Sequence, residues 1–319
     1  MSGDGTPAAA PAPTGPQTRL GRALDSDLWY SFSRSPAAIV AALMTLVMVG
    51  AAVFAPWIAP YDPFDLAQVD LFDSLLPPAW AEGGSEKYLL GTDDQGRDVL
   101  STILYGARIS LAVGFLSVIL AALIGIVVGL IAGYAGGWID TVLMRIADVQ
   151  LSFPAILIAL LIDGVARGVL PRGSHDQLAI YVLVLAIGLS FWVQYARTVR
   201  GSVLVERSRE YVQAAQVIGL PDALILWRHI LPNVMGPVLV IATIQLALAI
   251  ITEATLSFLG VGVPPTSPSL GTLIRIGNDF LFAGEWWITI FPGIALVLLV
   301  LAVNLLGDWL RDALNPKLR

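Results

Sequence analysis

Residues 109–133 read ISLAVGFLSVILAALIGIVVGLIAG, an unbroken run without a single charge. A helix rises about 1.5 Å per residue and the hydrocarbon core of a bilayer is about 30 Å thick, so this stretch is long enough to cross it. Lipid offers the backbone no hydrogen-bonding partner, which makes helix the expected conformation. Working outward, the runs 37–58, 178–194 and 287–306 are also free of charge, and 237–258 carries one acid, Glu253. A further apolar stretch, 141–162, holds Arg145 and Asp148 near its start and Pro154 within it. Taken with the others it gives six transmembrane helices. The expectation is an all-α integral membrane protein whose first span is an N-terminal anchor.

Composition points the same way. The chain has 319 residues, 56% hydrophobic and 13% charged, with a mean hydropathy of +0.78. Soluble domains carry roughly 25% charged residues, so lipid is the natural solvent for much of this surface. A net charge of −6 argues against nucleic acid as a partner, because phosphate binding needs a basic face. The absence of cysteine excludes disulfides, thiolate metal sites and cysteine nucleophiles. His175 and His229 are far apart and read as unrelated loop or surface residues, with no metal site implied.

Residues 1–24, rich in Ala, Pro, Gly and Thr near their start, read as a disordered head without the basic start and adjoining apolar core of a secretory signal. Residues 25–60 combine an interfacial segment around Trp29 and Tyr30 with the first span, 61–107 form an outer loop, and 108–319 hold five spans and the inner loop 198–233. With six spans, twelve Lys and Arg fall on the side of the termini and six on the other, which predicts both termini in the cytoplasm. Trp57, Trp80, Trp286 and Trp287 fall near predicted boundaries, as interfacial anchors do. Gly125, Gly129, Gly133 and Gly137, four apart, read as a packing stripe for a neighbouring helix.

The inner loop is the most informative segment. Residues 210–221 read EYVQAAQVIGLP and 222–233 read DALILWRHILPN. This predicts a short helix broken at Gly219-Leu220-Pro221 and a second helix after it, since Gly supplies a left-handed φ and Pro begins a helix well. Ala214 and Ala215 keep one face of the first helix shallow. Two readings remain open on these grounds: a mechanical connector that takes a push from another protein, or an ordinary amphipathic interfacial segment. No G-x-x-x-x-G-K-[ST] motif is present, nor a catalytic set, so an enzyme is not expected and any ATP would be bound by another chain.

The same loop resembles the E-A-A-x-x-x-G-x(9)-I-x-L-P loop of bacterial ABC importer permeases. Gln213 stands at the Glu position, then Ala214, Ala215 and Gly219; His229 stands at the Ile position, then Leu231 and Pro232. Three other stretches resemble the C-type permease subunits of the dipeptide, oligopeptide and nickel transport family: 90–98 with 105–111 (LGTDDQGRD, YGARISL), 256–262 (LSFLGVG) and 307–318 (GDWLRDALNPKL). The likeness covers the chain from about residue 28 to its end. It implies a type I importer (MetI-like) permease fold in a bacterial inner membrane and half of a translocation pathway for di- or oligopeptides. Nickel, glutathione or another small solute are alternative cargoes. It also implies a sister permease, two ABC ATPase subunits that use ATP and Mg²⁺, and a periplasmic or lipid-anchored solute-binding protein. This chain itself would bind no cofactor. The ATPase-coupling residues carried over are Tyr211, Gln213, Ala214, Ala215, Gly219, Pro221, Leu231 and Pro232.

Other residues carry open alternatives. Glu253 is either a pathway-lining or gating acid, or an acid bonded to a neighbouring helix. Asp93, Asp94, Arg97 and Asp98 either contact the binding protein or cap and fold their own loop. Arg145 and Asp148, three apart, are expected to pair locally, and Pro154 and Pro292 to kink their helices. A stand-alone secondary transporter, the rival from another class, would need more intramembrane charge than this chain has.

Overall fold

The computed structural model describes residues 32–65, 69–171 and 174–314. The expected disordered head and most of the interfacial segment lie outside the described residues. Among those described there is no strand, only an isolated bridge between Thr92 and Asp98.

The first span, α1 (Pro36–Val53), opens with Ser35 accepting the Ala38 N–H at 3.3 Å and Pro36 in its first turn. It breaks at Phe54 and continues as the short α2 (Ala55–Ile58), because Pro56 has no N–H to continue the ladder. The decisive stretch lies in α3 (Val99–Ala135), which begins ten residues before the apolar run, where Asp98 accepts the Ser101 N–H at 2.8 Å. Gly136, at φ 65°, ends it.

The third predicted span is two helices, α4 (Gly137–Leu151) and α5 (Ala155–Val169), bent by 91° at the break before Ala155. Pro154 is extended at the start of α5, so it ends one helix rather than kinking a continuous one. After the break come α6 (Ser174–Glu206), the short α7 (Glu210–Val217) and α8 (Asp222–Ile225), and the long α9 (Leu231–Phe258). The chain closes with α10 (Leu270–Phe280) and α11 (Trp287–Leu314).

The most extensive helix pairing is α3 on α6. A Cβ on Gly125 would lie 2.3 Å from Tyr195 Cβ, on Gly129 2.6 Å from Ala196 O, and on Gly133 2.8 Å from Val203 Cβ. Three of the four glycines in the stripe therefore set this contact. Gly137 does not: α3 has already ended, and nothing lies within 4 Å of its Cβ position. The register advances in the same direction along both helices, so α3 and α6 are parallel. The chain must recross between them, which makes the bent α4–α5 pair the third of six crossings. By contrast α9 runs antiparallel to α3, with Ile250 against Gly114 and Glu253 against Ser110.

Helix α6 also runs about three turns past the apolar run 178–194. Its charged end is tied to α4, Arg200 Nη2 to Asp140 Oδ2 at 2.6 Å and Arg197 to Asp148. This corrects the expected Arg145–Asp148 pair: Asp148 turns toward α6 while Arg145 is exposed. The connecting loop consequently begins after Glu206 rather than at 198. The core lies between α3, α6 and α9, around Val113, Ile187, Tyr195, Val199 and Val234. Outward faces are themselves apolar, as on α1 at Leu43, Leu46 and Val47, which suits a helix bathed in lipid or another membrane chain.

Candidate functional site

The connector between α6 and α9 is built as two helices hinged on a glycine. Helix α7 ends in a closed loop of backbone bonds, Leu220 N–H to Ala215 O at 3.1 Å and Gly219 N–H to Gln216 O at 3.0 Å. That pattern needs a left-handed residue at its turn, and Gly219 stands there with φ 81°. Pro221 follows in extended conformation and starts α8. From Asp222 the chain is helical to Phe258, widened into a π-helical turn over Leu226–Ile230. Pro232 explains the widening, since it has no N–H for the carbonyl four residues back. Leu231 N–H reaches instead to Leu226 O, and Asn233 Nδ2 covers His229 O at 2.7 Å.

The connector is braced to both flanking spans. The Tyr211 hydroxyl donates to Glu206 at the end of α6 and accepts from Asn233 Nδ2, 3.0 Å away at the start of α9. Burial and the Glu206 carboxylate raise this phenol above its ordinary value, so it stays protonated and able to donate. Gln213 Nε2 donates to Ser208 O at 3.2 Å. On the other side, Tyr134 of α3 donates to Asp222 Oδ1 at 2.6 Å and Arg207 Nη1 reaches Tyr134 O at 2.9 Å. These groups wall an open cleft of about 640 Å³ shared with Gln213 and Gln216.

Of the two alanines, only Ala214 is exposed; Ala215 turns into the core beside Val212, so the expected shallow face is one alanine wide. The exposed edge is apolar instead, with Val217 at 87% and Ile218 at 77% exposure, and Trp227 and Leu224 standing out beyond the hinge. Leu231 is half-buried and Pro232 exposed. The bracing residues Tyr134, Glu206, Asp222 and Asn233 carried no sequence signal, because each acts through a partner from another element.

At the opposite end of the bundle, Asp93 and Arg97 form a buried ion pair at 2.6 Å, with side chains 2% and 4% exposed. Arg97 Nη1 also reaches Pro265 O at 3.2 Å, tying this turn to the loop before α10. Asp98 is the N-cap of α3; burial pushes its carboxyl up, against the lowering effect of the Ser101 bonds. Asp94 is the most accessible of the four and is raised by burial and by the nearby Asp93 carboxylate. Loop folding and helix capping thus occupy Asp93, Arg97 and Asp98, which have almost no surface left for a partner.

Glu253 is 0% exposed. Ser110 Oγ of α3 donates to its Oε2 and Ser257 Oγ to its Oε1, each at 2.7 Å. Ser110 Oγ in turn accepts the Leu270 N–H at 3.3 Å, so the carboxylate ties the start of α10 to α3 and α9. Of the two alternatives for Glu253, the structure contains the bond to a neighbouring helix, and the buried carboxylate has no surface to present to a pathway. Glu253→Leu is expected to lower stability by about 1–3 kcal/mol, leaving two buried hydroxyls without their acceptor, while Glu253→Gln loses less. Thermal unfolding of the detergent-solubilised variants checks this, and equal melting temperatures for both would contradict it.

Comparison with known proteins places this arrangement. Residues 125–319 match the family described as binding-protein-dependent transport system inner membrane component, and residues 26–78 match the N-terminal transmembrane domain of oligopeptide transport permease C. The dipeptide transport system permease protein DppC of Haemophilus influenzae is 39% identical, covering 92% of this chain and 95% of its own length. Its namesake in Escherichia coli strain K12 is 41% identical, over 92% and 93%. Among solved structures, a chain of the methionine ABC transporter MetNI in an inward-facing conformation superposes with a TM-score of 0.53 at 19% identity, over 67% of this chain and 96% of that one, a likeness of fold. The chain is a multi-pass membrane protein and belongs to the family of binding-protein-dependent transport system inner membrane components.

Proposed function

We propose that this chain is one of two permeases of an ATP-driven importer of di- and oligopeptides. The observation that carries the reading is the connector: a glycine-hinged pair of helices, braced to α6 and α9 through Tyr211 and presenting Val217 and Ile218. Such an edge suits a groove on an ATPase, and the bracing suits transmission of its movement to two spans. The names of the relatives supply the cargo class. Two ATPase subunits would hold ATP and Mg²⁺, this chain binding neither, and a sister permease would complete the pathway. The bias of Lys and Arg supports a cytoplasmic connector and cytoplasmic termini. A solute-binding protein would then meet the opposite end, where Asp94 is the one of the four residues 93, 94, 97 and 98 that is not buried, and Glu82, Glu86 and Lys87 are exposed nearby.

The test is purification of the tagged chain from its native membrane in mild detergent, followed by identification of the co-purifying chains and uptake of labelled dipeptides in proteoliposomes. Two ATPase chains, a second permease and ATP-dependent peptide uptake are expected. A chain that emerges alone, with no ATPase, sinks the assembly. An intact assembly that imports a different solute sinks the peptide assignment only.

A further inference from the structure

Helix α6 is among the most buried in the bundle, yet Gln194, Arg197 and Gly201 on it are exposed. Spaced three and seven apart, they share one face. Their depth follows from the packing on α3. Tyr195 sits on Gly125 and Val203 on Gly133, so Gln194 lies about 13 Å from the level of Gly133, alongside the apolar run 109–133 of α3. A primary amide at that depth is unfavourable against hydrocarbon and belongs against protein or a water-filled passage.

The amide is also held. Gln245 of α9, 1% exposed, donates from Nε2 to Gln194 Oε1 at 2.6 Å, and its own Oε1 has no partner among the described residues. With its carbonyl engaged, Gln194 keeps its Nε2 donors free at the surface. Toward the connector the face stays polar and open. Asp148 neutralises Arg197, and nothing lies within 4 Å of a Cβ on Gly201.

We propose that this face of α6 lines the connector half of the translocation pathway, and that Gln194 Nε2 donates to a backbone carbonyl of the passing peptide. The inference rests on the peptide-importer reading above. An amide donor suits such cargo, because the peptide carbonyl is the acceptor all peptides share whatever their side chains. Gln245 acts as a positioning residue, fixing which end of Gln194 faces the passage.

The chain has no cysteine, so Gln194→Cys places a single thiol in it. In the full importer in proteoliposomes, a charged methanethiosulfonate reagent is expected to modify that thiol, read by mass spectrometry on this chain. Dipeptide delivered by the binding protein is expected to slow the modification. The same thiol at Leu46, on the apolar face of α1, is expected to resist it. Gln194→Leu is expected to cut dipeptide uptake about tenfold, the worth of one hydrogen bond. Gln194→Asn should recover part of the loss. Replacing the peptide link of the cargo by an ester, a weaker acceptor, should slow uptake by the unmodified importer but make little difference in Gln194→Leu, which a merely structural role would not produce. An unreactive Gln194→Cys in a working importer would mean that the sister chain covers this face, and overturns the proposal. Full uptake by Gln194→Leu overturns the amide contact. If the unmodified importer moves no peptide at all, it is the peptide assignment that has failed.

Discussion

Replacing Gly219 with Val is expected to abolish peptide uptake while leaving the six crossings folded and the complex assembled. Gly219 holds φ at 81° to close the backbone loop that ends α7. An L residue there costs roughly 1–2 kcal/mol, and a β-branched one is least able to adopt the conformation. The damage stays local, because nothing lies within 4 Å of the Cβ position. What changes is the angle between α7 and α8, and with it the placement of Val217 and Ile218 against a partner. Reconstituted Gly219→Val importer should hydrolyse ATP without moving peptide, and Gly219→Asn, which tolerates a left-handed φ better, should retain part of the coupling. Normal coupled uptake by the Val variant would show that the hinge geometry does not matter.

The largest loss of stability is expected from Arg97→Ala. Its guanidinium neutralises Asp93 in a site where both side chains are almost wholly buried, and it bonds Pro265 O across to the loop before α10. Removing it strands a buried carboxylate, a change that costs about 3–5 kcal/mol. The double replacement Arg97→Met with Asp93→Leu removes both charges and should recover much of that, although Asp93 Oδ1 also accepts the N–H groups of Gln95 and Arg97. Melting temperatures of the purified complex read the difference. A double variant no better than Arg97→Ala would mean that the backbone bonds, rather than the ion pair, hold this turn. The expected failure of Arg97→Ala is one of folding at the end of the bundle away from the connector, so uptake and assembly should fall together, unlike in Gly219→Val.

The sequence by itself determined the class of protein and the positions of five crossings, because apolar length against bilayer thickness is a local property. It also determined the break in the connector, because Gly219 and Pro221 act on their own backbone dihedrals. The ends of the helices were less legible. Helix α6 outruns its apolar stretch because Arg197 and Arg200 find acids on α4, and α3 starts early because Asp98 caps it. The bend of the third crossing has a local cause in Pro154, but that the pair crosses at all follows from the parallel packing of α3 on α6. Only the tertiary structure decided which glycines make that packing, that Asp148 pairs with Arg197 rather than Arg145, that Glu253 is buried under hydroxyls, and that Gln245 holds Gln194 at the surface. These depend on side chains far apart in the chain, 143 residues in the case of Ser110 and Glu253. Nothing in the local sequence of either residue encodes the distance between them.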